Sequence, residues 1–135
     1  RRTYLSMEQI TAALLELQDI ALLLLRVWLA LLFGTSGWSH LREPAERGES
    51  IGMSPAATAV LGAVELGASF LLVIGFLDPL AAAALVGVML GAIFKKAFVW
   101  KTGFWGDDGM GWYYEVLYVI GLLVIMTTGG GSIGL

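Results

Sequence analysis

The sequence predicts an all-α fold: an integral membrane four-helix bundle entered through an amphipathic amino-terminal lead-in. Three observations predict it. Hydrophobic residues make up 58% of the 135-residue chain and charged ones only 14%, with a mean hydropathy of +0.81, far from the half-apolar, quarter-charged average of soluble domains. Four apolar runs, each bounded by polar or turn-forming residues, approach or reach the length needed to cross a hydrocarbon core of ~30 Å. The 18 glycines allow close helix approach in a solvent where no hydrophobic force draws helices together.

Residues 1–19 form the lead-in. Ser6-Met7-Glu8-Gln9 has the form of a capping box, and Ile10, Ala13, Leu14 and Leu17 then recur at helical spacing with Glu16 and Gln18 on other faces. Glu8, Glu16 and Asp19 precede the first long apolar run and no small-residue cleavage site follows it, so the first span is expected to be retained.

Residues 20–135 form the membrane domain, with spans at about 20–38, 55–77, 79–99 and 112–128. The first is apolar except for Arg26 and a few small polar residues, and measures about 28 Å as a helix. Ser39 to Ser54 interrupts it with His40, Arg42, Glu43, Pro44, Glu46, Arg47 and Glu49, a stretch expected in water or among the headgroups. Ser54 as N-cap and Pro55 at the first helical position start the second span. Asp78-Pro79 turns the chain at once, with Asp as the cap, which makes spans two and three antiparallel neighbours. Gly87 and Gly91 form a GxxxG, expected as a close-packing face of the third span. A second break, Trp100 to Gly111, carries Lys101, Asp107 and Asp108 among aromatic residues that suit a membrane interface. The fourth span ends at Gly129-Gly130-Gly131.

Basic residues flank the spans unevenly. Arg1 and Arg2 lie at one end, and Arg42, Arg47, Lys95, Lys96 and Lys101 at the other, so the positive-inside rule puts both termini outside the cytoplasm. The net charge of −3 is spread along the chain and gives no basic stripe for nucleic acid. The absence of cysteine removes thiolate catalysis, Cys-ligated zinc, iron–sulfur clusters and CxxC relays, and the single histidine rules out a bis-histidine haem site within the chain. No metal site is expected, and no cofactor bound by this chain alone; any redox chemistry uses a borrowed or diffusible cofactor, of which quinone is one.

Ionisable groups inside the apolar runs are the candidates for function, because the membrane penalises them. Glu65 stands near the middle of its span, on a stripe with Thr58, Gly62 and Ser69. A hairpin centred on Asp78 puts Gly91 at the depth of Glu65 and Lys95 one turn farther, and helical side chains lean toward their own amino terminus, so Lys95 is the expected partner of Glu65. For Arg26 the expected partner is Asp19, seven residues earlier on the same face. Such pairs either fix helix register or mark a proton or ligand path. His40, Lys96 and Glu115 are expected to cluster at one mouth of the bundle, although a histidine at a helix end also serves as a solvated cap. Trp105, Trp112, Tyr114 and Tyr118 either flank a quinone ring beside that mouth or serve as interface anchors.

The pattern resembles the DoxX/DoxD-like family of small four-span membrane proteins. The likeness rests on Leu25-Arg26 with Phe33-Gly34 and Gly37, on Glu65-Leu66-Gly67 with Ile74-Gly75, and on the ending Thr128-Gly129-Gly130-Gly131-Ser132. It covers residues 20 to 135, and departs where the family has a proline at the position of Gly130 and an acidic residue beyond the last hydrophobic one. The resemblance implies the plasma (inner) membrane of a prokaryote, multi-pass insertion and association with redox complexes. Arg26 and Glu65 match the family's intramembrane charges. DoxD-like members are linked to thiosulfate oxidation with quinone as acceptor, and no residue here identifies a sulfur-binding site.

Three functions follow as expectations. The first is a non-catalytic anchor or accessory subunit of a larger redox or energy-transducing complex, with the lipid bilayer and other membrane subunits as partners. The second is a membrane subunit of a quinone-linked thiosulfate oxidoreductase, Arg26 drawing in an anion and Glu65 or Glu115 handling quinol protons. The third is a proton-coupled transporter that uses Glu65.

Overall fold

The structure, a computed structural model, describes Tyr4, residues 6–106 and residues 111–135. Arg1 and Arg2 of the amino-terminal flank, and Asp107 and Asp108 of the second break, lie outside the described residues. The fold is all-α, with no strand among the described residues.

The capping box forms as its sequence dictates. The backbone N–H of Gln9 donates to Ser6 Oγ (3.1 Å) and that of Ser6 donates to Gln9 Oε1 (2.8 Å), which opens α1 (Met7–Glu16). α1 passes with one tightened step at Leu17 into α2 (Gln18–Arg42). α1 has no buried residue and leaves Met7, Leu14 and Leu15 exposed, so the lead-in runs on from the bundle instead of packing against it.

The stretch expected to lie in water holds a helix, α3 (Pro44–Ile51). Pro44 at its first turn and Gly52 in the left-handed region just past its end are the ordinary start and stop residues of a helix. Its Gly48 sits so close to Thr58 Oγ1 and the Met53 carbonyl that a Cβ would collide with both. α4 (Pro55–Ile74) begins at the Ser54 cap and stops at Gly75, φ +73°, three residues short of the expected end. Gly75, Phe76 and Leu77 make the turn. Asp78 makes no side-chain cap and is instead the first residue of α5 (Asp78–Phe94). A π-helical turn, Lys95–Val99, extends α5, and α6 (Tyr113–Thr128) ends at Gly129.

Met7–Arg42, Pro55–Ile74 and Asp78–Val99 are long and apolar enough to cross a membrane. α6 is apolar but has 16 residues, roughly 24 Å. The chain is a multi-pass membrane protein, and its outward faces carry the apolar side chains Leu24, Trp28, Phe70, Leu90 and Ile120.

Inside, Leu29, Phe33, Leu72, Leu85, Leu122 and Ile125 form the core. The closest helix approach is between α2 and α4: a Cβ on Gly37 would stand 2.7 Å from the Gly62 carbonyl, and one on Gly62 2.7 Å from that of Gly37. The expected GxxxG face does not pack in this way. Among the described residues, nothing lies within 4 Å of where a Cβ would stand on Gly87 or Gly91, because both border a cavity.

Candidate functional site

The ionisable residues gather at the two ends of the bundle and do different work there. At the end where α4 turns into α5, Arg26 is fully buried. Its guanidinium donates to the Leu72 carbonyl (2.9 Å) and the Val73 carbonyl (3.3 Å) of the last turn of α4, and to the Gly130 (3.2 Å) and Ile133 (2.5 Å) carbonyls of the carboxy-terminal segment. Its Nε also stands 3.3 Å from Asp78 Oδ2. Helix C-termini leave carbonyls without intrahelical donors, and a planar, multidentate cation is suited to satisfy several at once.

The expected pairing of Arg26 with Asp19 is therefore corrected. Two helical turns separate them, and each holds a different part of the tail: Asp19 accepts from Ser132 N–H (3.0 Å) and Ser132 Oγ (2.6 Å). The Leu135 N–H donates to the Ile74 carbonyl at 3.0 Å. Arg26 is thus a clamp on backbone, with its donors directed into the protein and not toward a ligand.

At the other end lies a cavity of about 400 Å³ between the last turn of α2, α3, α4, α5 with its π-helical turn, and the first turn of α6. His40, Arg47, Glu65, Lys95, Lys96 and Glu115 all line it, with apolar walls from Leu61, Val88 and Met89 and the two open glycines Gly87 and Gly91. A larger groove of about 840 Å³ between α2 and α4 is lined almost entirely by apolar side chains and has no group able to exchange a proton.

Glu65 is 2% exposed and its Oε2 stands 3.0 Å from His40 Nδ1. This corrects the expected pairing with Lys95. The contact at Gly37 and Gly62 brings the last turn of α2 against Glu65, and His40 and Glu65 each stand three residues beyond those glycines, on the facing sides. The rest of the stripe is buried as expected, with Ser69 Oγ donating to the Glu65 carbonyl at 2.7 Å.

Lys95 lines the cavity but bends toward α3, where its ammonium donates to the Ile51 carbonyl and reaches that of Gly52 (3.4 Å). These are carbonyls of a helix C-terminus, the usual target of a nearby lysine. Lys96 pairs with Glu115 Oε1 at 2.8 Å. The π-helical turn rotates less per residue than an α-helix, which lets consecutive lysines reach the same cavity; such turns are frequent at functional sites.

His40, Lys96 and Glu115 thus share one cavity wall with Glu65, and His40 bonds to Glu65 instead of Glu115. Trp105, Trp112, Tyr114 and Tyr118 do not line it. Trp105 and Trp112 stack edge-on against Phe104, each with ring centres 4.7 Å apart, Tyr114 stacks on Tyr113, and Tyr118 packs against Phe33. The aromatic residue in the wall is Trp100.

Arg47 is the site residue that sequence reasoning overlooked. The signal was present in Pro44 and Gly52, which bracket a short helix and fix Arg47 on it. Three buried polar atoms on cavity-lining side chains have no hydrogen-bond partner among the described residues: His40 Nε2, Arg47 Nε and Glu115 Oε2. Buried polar atoms are normally satisfied, so three around one cavity suit a polar ligand. Among the described residues, no cluster of His, Asp or Glu is suited to hold a metal ion.

In comparisons with known proteins, the model of the DoxX family matches residues 21–97, more than half of the chain. The match takes in α2 to α5, with Arg26, His40, Arg47, Glu65, Lys95 and Lys96; Glu115 and the glycine-rich ending lie beyond it. No curated protein and no solved structure matches the chain.

Proposed function

We propose, from the premise that the chain belongs to the DoxX family, that it is an accessory membrane subunit of a larger redox complex in a prokaryotic plasma membrane. Its own contribution is a proton-exchanging pocket for a quinone. The observation that carries this reading is the buried His40–Glu65 pair in the cavity wall, with His40 Nε2 left without a partner.

The side chains fit such a ring. A pocket with mostly apolar walls and a few convergent polar atoms is the usual form of a small-molecule site, and about 400 Å³ lies within the usual size range. Glu65 accepts the Nδ1 proton of neutral His40 and so leaves Nε2 as the acceptor facing the cavity. Nε2 then takes the proton of a quinol hydroxyl, and the Glu65 carboxylate stabilises the imidazolium that forms. Lys96 holds Glu115 beside it as a further proton carrier. The two electrons of each quinol pass to a partner subunit, because this chain has no cysteine and one histidine.

Purification in mild detergent tests the reading. The wild-type chain is expected to retain a redox subunit and quinone, and His40→Gln to lose the quinone while keeping the subunit. Isolation as a lone protein without quinone would count against it.

A further inference from the structure

We infer that the same cavity holds a phosphate-binding subsite on Arg47 and Lys95, and that its natural occupant is the headgroup of an anionic phospholipid. The argument begins with charge. Four basic side chains and two carboxylates line the cavity. His40 pairs with Glu65 and Lys96 with Glu115, which leaves Arg47 and Lys95 without a carboxylate at ion-pair distance among the described residues. The ammonium of Lys95 is held by two backbone carbonyls of α3, neutral acceptors that fix its position without cancelling its charge. The buried Nε of Arg47 has no acceptor among the described residues. Two cations without a carboxylate partner among the described residues, one of them held in place by backbone, attract an anion beside a low-dielectric wall, and a guanidinium with an ammonium lining the same cavity suits phosphate oxygens.

Position and shape select a lipid as the source. Arg47 and Lys95 stand where α3 and the π-helical turn close the bundle, at the level of the start of α4, where the helices leave the hydrocarbon. Below them the cavity is walled by Leu61, Val88 and Met89 and floored by Gly87 and Gly91. The missing side chains on α5 leave an apolar trough that an acyl chain fills, and this gives the unpacked GxxxG a role. Basic pockets between membrane helices bind lipid headgroups in this manner.

An acyl chain and a quinone contend for the same cavity of about 400 Å³, and the two readings are told apart by His40→Gln, which leaves both cations in place. The purified full chain is delipidated and then offered phosphatidylglycerol or phosphatidylcholine in mixed micelles, or inorganic phosphate in the buffer, with bound lipid counted by native mass spectrometry. Phosphatidylglycerol is expected to be retained in preference to phosphatidylcholine, and more weakly at high salt. Arg47→Gln and Lys95→Gln are each expected to weaken it by about fivefold, while exposed Lys101→Gln does not. Arg47→Lys, which keeps the charge, is the second variant and is expected to retain most of the binding. Displacement of the lipid by millimolar inorganic phosphate would assign the subsite to free phosphate, overturning the lipid source but not the subsite. Equal retention of the two lipids with no effect of phosphate would overturn the inference, as would a preference unchanged in both glutamine variants.

Discussion

Arg26→Met removes the clamp at the tail end of the bundle while keeping most of the side-chain length and apolar stem. The wild-type side chain is fully buried and makes four bonds to backbone carbonyls and one ion pair. Removing one partner of a buried pair costs about 3–5 kcal/mol, because Asp78 is left as an uncompensated buried charge. Asp78 is 3% exposed and its Oδ1 already lacks a partner, so water does little to relieve it. The four carbonyls add about 1–3 kcal/mol for each that stays dry, but those of the tail segment reach water once it detaches. We therefore expect a loss near the middle of the range for the pair, about 4 kcal/mol, with Asp78→Asn in the Arg26→Met background recovering part of it. Unfolding in mixed micelles, followed by circular dichroism, measures both; protease accessibility of residues 129–135 reports tail release. A loss below about 1 kcal/mol would refute the clamp. Loss of ligand binding at unchanged stability would place Arg26 at an anion site instead.

The remaining predictions concern the cavity and the tail. Gly37→Ala forces α2 and α4 apart and is expected to cost about 1–3 kcal/mol as overpacking, whereas Gly91→Ala meets nothing and leaves stability unchanged while narrowing the cavity and weakening its ligand; thermal melts with and without a quinone analogue separate the two. Lys96→Gln strands Glu115 and is expected to lower stability by about 1–2 kcal/mol, less than a fully buried pair because the lysine is partly exposed, with Glu115→Gln restoring it in a double-mutant cycle. Asp19→Ala releases Ser132 and is expected to speed proteolysis of the tail without shifting the global unfolding midpoint.

Much of the helical framework was legible from local chemistry. The Ser6 capping box, the Ser54-Pro55 start and the Gly129 stop are governed by residues within a turn of one another, and the structure shows them in place. The burial of Arg26 and Glu65 also followed from the expense of charge in apolar runs. Their partners did not. Glu65 meets His40 because two glycines on different helices touch, and no rule of sequence spacing selects Gly37 with Gly62 over Gly87 with Gly91. Lys95 was assigned by side-chain direction along its own helix, but the short α3 offers it free carbonyls that were hidden in a stretch read as a plain polar break. The clamp on Arg26 joins residues more than a hundred positions apart, through a tail with no helical pattern to place it.

The single histidine makes the central claim directly measurable. In protein labelled with 15N-histidine, magnetic resonance reads both ring nitrogens of His40 without overlap. The account predicts a hydrogen-bonded Nδ1 that changes on Glu65→Gln, and an Nε2 signal that shifts when a short-chain quinone is added. An imidazole indifferent to both the quinone and the loss of the Glu65 carboxylate would contradict it.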